Sequence, residues 1–244
     1  MVSAQLKSRH AMPEKTWMTG AALHEKAHCD EAEHELRRQL QTGLDMLGLP
    51  LADNQQDALM RYLAILVRWN AVYNLTSVRA PREMLALHLL DSLSIVDIVS
   101  NGDGTKVLDV GSGAGLPGIP LAIALPCHHF HLIDAVAKKV SFLLHAKTWM
   151  QLLNIRPQHI RVEALTLKEK PAFVVSRAYS DLARMVRSID HLVDVSTTVI
   201  AMKGAIPNEE IAALPKDWQV VDLRKLDVPF VGAQRCAVVL RRTS

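Results

Sequence analysis

The sequence predicts an α/β fold: a seven-stranded, mainly parallel sheet with one antiparallel hairpin strand, preceded by a small helical cap. Three observations predict it. From residue 102 onward, short apolar runs alternate with segments of helical period, as in strand–helix–strand crossovers on a parallel sheet. The last two apolar runs are joined only by a turn around Pro229 and Gly232, which makes them an antiparallel hairpin. Before residue 100 the apolar residues keep helical spacing alone.

The elements follow in order. Residues 1–33 are polar, mixed in charge and lack a sustained period. They read as a poorly ordered N-terminal extension with a helical turn or two. Leu36, Leu40, Leu44 and Leu47 recur at helical spacing, and Gly48 and Pro50 end that run. Asp53 with Gln56 reads as a capping box for a second helix, on which Leu59, Leu63, Leu66 and Trp69 share a face. Pro81 starts a third helix through Val99. Residues 34–100 thus form the helical cap and 101–244 the sheet domain. Strands are expected at 106–110, 129–134, 160–164, 173–177, 198–203, 219–225 and 235–241. Helices are expected at about 116–124, 136–153, 180–192 and 208–213.

Composition narrows the class. The chain has 244 residues, 49% of them hydrophobic, which suffices for one full core plus an appendage. No run of uninterrupted apolar residues is long enough for a membrane span. The N-terminal residues lack the apolar stretch of a signal peptide. Cys29, Cys127 and Cys236 are isolated and cannot all pair, which points to a reducing, cytoplasmic setting. The formal net charge is only +3, so any nucleic-acid surface must be a local patch.

The most specific segment is Val107-Leu-Asp-Val-Gly-Ser-Gly-Ala-Gly-Leu-Pro-Gly118. It reads as a strand ending in an acid, a turn with glycines at alternate positions, and a helix start. Such glycines let the backbone take φ > 0 and come close to a ligand. Asp134 then closes a second apolar strand, where an acid can hold both ribose hydroxyls. A dinucleotide fingerprint should begin at the strand end, but its third glycine would fall at Leu116. The frame Asp109-x-Gly111-x-Gly113-x-Gly115 fits the strand end better. It also sets a carboxylate beside the ligand, which suits an ammonium and repels a pyrophosphate. S-Adenosylmethionine, with an ammonium, a ribose and no phosphate, is therefore favoured over NAD. A mainly parallel sheet with one antiparallel hairpin strand is the Rossmann-like arrangement of class I methyltransferases.

Several motifs then combine: Trp69-Asn-x-x-x-Asn-Leu-Thr-Ser77, His88-Leu-Leu-Asp-Ser92, Asp109-Val-Gly-Ser-Gly-Ala-Gly-Leu-Pro-Gly-Ile-Pro120, Ser176-Arg-Ala178 and Met202-Lys-Gly204. In order and spacing, from about residue 36 to the C-terminus, this set resembles the bacterial small-subunit rRNA guanine-N7 methyltransferases, the RsmG or glucose-inhibited division protein B family. The resemblance implies methyl transfer from S-adenosylmethionine to a guanine N7 in 16S rRNA, on free rRNA or the small ribosomal subunit. It implies cofactor contacts at Gly111, Leu116, Val162, Glu163 and Arg177. Two departures stand out. Residues 1–33 are extra, and Ala135-Val-Ala-Lys-Lys139 replaces the family's serine and glycine before the basic pair. The ribose role of Asp134 therefore rests on its strand-end position.

The residues also limit the chemistry. Exocyclic-amine methylation of adenine or cytosine usually uses an Asn/Asp-Pro-Pro-aromatic turn, and here that turn is Ser176-Arg177-Ala178-Tyr179. Methylation of pyrimidine C5 needs a nucleophilic cysteine, and none of the three follows a strand in a catalytic-looking turn. Guanine N7 has a free lone pair and no proton to lose, so positioning suffices. No catalytic acid or base is assigned. Arg177, at the strand-end mouth, could pair with a methionine carboxylate or an RNA phosphate. Lys203 could hold RNA phosphate or be a solvated strand-end lysine. Tyr179 is the aromatic best placed to stack on a target base. Arg79, Lys138 and Lys139 are candidate phosphate contacts. His88 either shapes the target pocket or is satisfied in the core.

His24-Glu-Lys-Ala-His28 formally matches a zinc-protease helix, with His34 as a third candidate. The three-histidine version needs a glycine where Glu31 stands, so no metal is expected. No membrane partner is expected, and the protein is read as a monomer. The readings left beside the favoured one are methylation of another RNA or a small molecule, a non-catalytic rRNA-binding module, and an NAD oxidoreductase.

Overall fold

The computed structural model describes residues 20–102, 104–177 and 181–243, with side chains from residue 31 onward. The chain divides after Glu35 into two compact units. Helix α1, Gly20–Met46, begins well before the expected start at Leu36. Residues 20–35 are rich in Ala and Glu, which favour helix through intrinsic propensity rather than through an apolar stripe. The helix runs unbroken through Glu31, so the backbone does not turn back there as the zinc motif requires. Gly48, at φ +61, follows as a left-handed stop.

Helix α2, Asp53–Tyr73, is capped one residue earlier than expected. The Ala52 N–H donates to Gln55 Oε1 at 3.0 Å. Gln55 Nε2 in turn donates to the carbonyls of Ile123 and Ala124, a long-range tie that decides between neighbouring glutamines. The expected third helix is broken into α3 (Pro81–Met84), a π-helical turn (Leu85–Leu90), α4 (Asp91–Leu93) and α5 (Val96–Ser100). Pro81 occupies the first turn as expected. The break before α5 falls where Ser94 Oγ donates to the Asp91 carbonyl at 2.6 Å.

Among the described residues, seven strands form one sheet in the order β3-β2-β1-β4-β5-β7-β6. They are β1 Lys106–Val110, β2 His129–Asp134, β3 Ile155–His159, β4 Phe173–Arg177, β5 Thr198–Lys203, β6 Trp218–Lys225 and β7 Cys236–Arg242. All neighbours up to β5 are parallel, and β7 runs antiparallel to both β5 and β6. The third strand corrects the expectation at 160–164. Pro157 lies inside it, a residue that argues against a strand from sequence, yet β3 is an edge strand, where proline is tolerated. The alternating run at 160–164 instead carries a 3-10 turn, Val162–Ala164.

Side chains alternate across the sheet. Val107, Phe130, Leu132, Val175 and Ile200 face one buried cluster, which also contains Leu59, Leu63 and Leu66 of α2. Leu108, Val110, Ile133, Val174 and Val199 face the other, with Leu182, Met185 and Val186 of α8, Leu182–Ile189. Helices α6, Gly118–Ala124, and α7, Ala137–Met150, connect the early strands. The last helix, α9, spans Asn208–Ala212. The strand order reverses between β1 and β4, and that switch point is where open α/β sheets bind ligands.

Candidate cofactor and substrate site

The glycine loop lies at the carboxyl end of β1, at the switch point. Gly111, Gly113 and Gly115 all take positive φ, at 73°, 59° and 86°, a region that side chains with a Cβ disfavour. At Gly111 a Cβ would meet no atom within 4 Å. The glycine there answers to backbone conformation and leaves open space above the loop.

Five of the loop's N–H groups are already bonded within the protein. Those of Gly111 and Ser112 donate to the Ile133 carbonyl at 2.9 and 3.0 Å. Those of Gly115 and Leu116 donate to the Ser112 carbonyl at 2.7 and 2.9 Å. The Gly113 N–H donates to Asp134 Oδ2 at 2.9 Å. A pyrophosphate cradle needs such donors unpaired, and these five are engaged.

Two carboxylates face the same region instead. Asp134 is 5% exposed, and its Oδ1 accepts from the Val136 N–H at 2.8 Å. Lys139 Nζ stands 3.8 Å from its Oδ2. Asp109 is fully buried, and its Oδ2 accepts from the Gly118 N–H at 3.0 Å. Its Oδ1 has no hydrogen-bond partner among the described residues. Burial pushes the Asp109 carboxyl up to about 7, against the pull of the Gly118 hydrogen bond and of Arg177. An orphaned buried carboxylate oxygen beside an open glycine loop fits a cationic ligand group with ribose hydroxyls better than a phosphate.

Helix α2 supports the loop from behind. The buried Tyr62 hydroxyl donates to the Ala114 carbonyl at 2.6 Å. Tyr62 is absent from the sequence-derived set, although a tyrosine on a leucine face signals a hydroxyl in need of a partner.

Arg177 ends β4 at the mouth and is already engaged. Its Nη1 donates to the Leu87 carbonyl at 2.9 Å and to Asp91 Oδ2 at 3.2 Å. Arg235 Nε stands 3.2 Å from the other Asp91 oxygen. Burial raises the Asp91 carboxyl, and the two arginines oppose that rise. The second Arg177 nitrogen faces His88 Nδ1 at 3.5 Å, while His88 Nε2 lies 2.8 Å from Thr76 Oγ1. With Arg177 as the donor at Nδ1, the imidazole proton is assigned to Nε2. Desolvation and Arg177 hold His88 down to about 4, so it is neutral near pH 7. Asp91, Thr76 and Arg235 were invisible as partners in the sequence because the contacts are long-range.

The remaining sequence-derived residues scatter more widely. Leu116 is buried in the helix-side core and Val162 in the opposite cluster, with Glu163 exposed beside it in the 3-10 turn. Lys203 ends β5 and pairs with Glu210 Oε2 at 2.7 Å. Arg79 donates to the Asn70 carbonyl and to Asn74 Oδ1. Lys138 is exposed on α7. Tyr179 lies outside the described residues. Among the described residues, no group of three or more His, Cys, Asp or Glu side chains is placed to hold a metal ion, and no helix is long and apolar enough to cross a membrane.

Comparison with known proteins agrees with this geometry. The chain is 46% identical over 206 residues to a ribosomal RNA small subunit methyltransferase G of Pseudomonas aeruginosa (strain LESB58), covering 84% of this chain and 95% of that protein. A protein of the same name from Hahella chejuensis is 40% identical over 205 residues, 84% of this chain and 93% of its own. Among solved structures, a SAM dependent methyltransferase from Aquifex aeolicus superposes with a TM-score of 0.51 at 16% identity, covering 65% of this chain and 93% of its own. TrmN from Thermus thermophilus gives 0.51 at 17% identity, over 62% and 48%. These likenesses establish the class I methyltransferase fold. Residues 55–239 match the GidB family, described as rRNA small subunit methyltransferase G. With that match spanning most of the chain, and with the glycine loop, Asp109 and Asp134 at the β1/β4 switch point, the protein belongs to the GidB family.

Proposed function

We propose that this protein transfers a methyl group from S-adenosylmethionine to N7 of a guanine in 16S rRNA. The observation that carries the cofactor is the glycine loop, five of whose N–H groups are engaged and whose neighbours are the carboxylates Asp109 and Asp134. Asp109 would face the methionine ammonium and Asp134 the ribose hydroxyls, with Gly111, Gly113, Gly115 and Leu116 forming the loop. Val162 and Glu163 would border the base. When bound, the cofactor supplies an electrophilic methyl on its sulfonium.

Family membership and the mouth of the site support the target. The titratable groups there are committed to structure: His88 is bonded at both nitrogens and neutral, and Asp91 is held by Arg177 and Arg235. A transfer that requires no base suits such a site, because guanine N7 already offers a lone pair. Arg177 is positioned by Asp91 at the strand end and would orient the reactants. Arg79, Lys138 and Lys139 would hold RNA phosphates. Lys203, paired with Glu210, would contribute at the β5 end, and Tyr179 would stack on the target base.

We read the protein as a monomer acting in the cytoplasm without a metal. Free thiols at Cys127 and Cys236 suit a reducing compartment. The test is transfer of labelled methyl from S-adenosylmethionine to small ribosomal subunits from a strain lacking this protein, with the product nucleosides identified by mass. Labelled 7-methylguanosine at one site is the expected result. Bound cofactor without transfer to RNA would move the substrate to another RNA or a small molecule.

A further inference from the structure

Charge along this chain is segregated in a way that net charge hides. Residues 58–82 carry Arg61, Arg68, Arg79 and Arg82 and no carboxylate. Residues 135–162 carry Lys138, Lys139, Lys147, Arg156 and Arg161, again with no carboxylate. The first segment contains most of α2 and the second all of α7, and these two helices pack side by side.

Their shared edge carries aromatic rings. Trp69 of α2 lies 4.9 Å from the Tyr73 ring, 5.1 Å from the His145 ring and 5.5 Å from Phe142, edge-on to the last. Phe142 is buried and anchors the group, whereas Tyr73 is 43% exposed and His145 is exposed. Trp69 therefore braces two outward rings from behind. Lys138 lies two helical turns before His145, about 10 Å along α7. Arg68 precedes Trp69, and Arg79 is tied to Asn74 beside Tyr73.

The same two helices reach the glycine loop. Tyr62 of α2 bonds the Ala114 carbonyl, and Lys139 of α7 stands beside Asp134. The two helices that carry the aromatic edge thus also carry residues that touch the candidate cofactor site. An exposed ring between helical segments that carry cations and no carboxylate matches the demands of single-stranded nucleic acid: stacking for a base and cations for the flanking phosphates. Unpaired RNA is recognised in this way more readily than duplex, whose bases are already stacked.

We infer that the exposed rings of Tyr73 and His145, braced by Trp69, form a stacking seat for an unpaired base of the rRNA substrate. Arg68, Arg79 and Lys138 hold the phosphates around it. This rests on the proposed rRNA methylation and names the surface by which that substrate would be gripped.

The test uses the full chain with small subunits as substrate. Tyr73→Ala and His145→Ala should each raise the KM for subunits about tenfold, the scale of one lost stacking ring. The turnover number and the affinity for S-adenosylmethionine should stay within about twofold of wild type. Tyr73→Phe keeps the ring and should match wild type. A normal KM in both alanine variants, with wild type active, would overturn the seat and leave the rRNA reading intact. Binding of deproteinised small-subunit rRNA by the same variants reads the surface independently of transfer. Weakened binding there supports the seat even if wild type methylates nothing, and equal binding overturns it. A concentration-dependent dimer abolished by Tyr73→Ala would assign the face to a second copy instead.

Discussion

Asp91 Oδ2 accepts from Arg177 Nη1 at 3.2 Å, joining the helical segment before the sheet to the end of β4. The arginine is held at the mouth by a carboxylate that is itself 5% exposed in its side chain. Removing the guanidinium leaves a buried charge with Arg235 alone. Arg177→Ala is expected to cut methyl transfer at least about tenfold and to lower stability, because the buried Asp91 keeps only one of its two arginine partners. Arg177→Lys should recover little, since one ammonium does not reproduce the planar group whose Nη1 bonds Asp91 and the Leu87 carbonyl while Nη2 faces His88. Steady-state kinetics beside thermal melts decide this, and wild-type kinetics in Arg177→Ala would refute the assignment.

The Tyr62 hydroxyl offers a separate handle on the glycine loop. Tyr62→Phe deletes one oxygen and leaves the Ala114 carbonyl without its donor. The expected cost is about 1–3 kcal/mol in urea unfolding, with weaker cofactor binding. An unchanged unfolding midpoint would show that the 2.6 Å contact contributes nothing to the fold.

Asp109 predicts a pH dependence. Its carboxyl titrates near 7 in the folded chain against 3.8 for the unperturbed group. Between those values the folded state holds a proton that the unfolded state has lost. Its contribution to stability therefore falls as pH rises from about 4 to about 7, then levels. A bound ammonium favours the ionised carboxylate, so affinity for S-adenosylmethionine should rise about tenfold from pH 6 to pH 8. Asp109→Asn should flatten that rise, and calorimetric titrations across the range would detect its absence.

Gly118 predicts a steric cost. A Cβ there would lie 2.3 Å from Leu132 Cδ2 and 2.5 Å from Asp109 Oδ2. Gly118→Ala must displace both, at about 1–3 kcal/mol by the usual scale for overpacking. Denaturant unfolding measures it, and a neutral substitution would mean that α6 can shift without loss.

The particular elements show what a sequence can carry. Asp109 and the alternating glycines share one strand-to-helix turn, and Asp134 closes the next strand, so local chemistry makes the loop legible. Strand β3 is not legible in the sequence: Pro157 argues against a strand, and only its position at the sheet edge removes the objection. The helix from Pro81 looked continuous because a π-helical turn keeps helical spacing to the eye while shifting the face beyond Leu90. Arg177 was found, but its partners Asp91 and Arg235 are set by tertiary contacts across the fold. Lys203 looked free at its strand end, whereas the chain brings Glu210 to it.

The engaged N–H groups of the glycine loop have a consequence for life inside a cell crowded with adenine nucleotides. ATP and NAD share their adenosine half with S-adenosylmethionine, so recognition of adenosine alone would let them compete. Here a phosphate chain would arrive at engaged donors and at the carboxylates of Asp109 and Asp134, and would be repelled. On the proposed binding mode, the loop would discriminate by what it withholds, keeping the abundant nucleotides from blocking the rarer methyl donor.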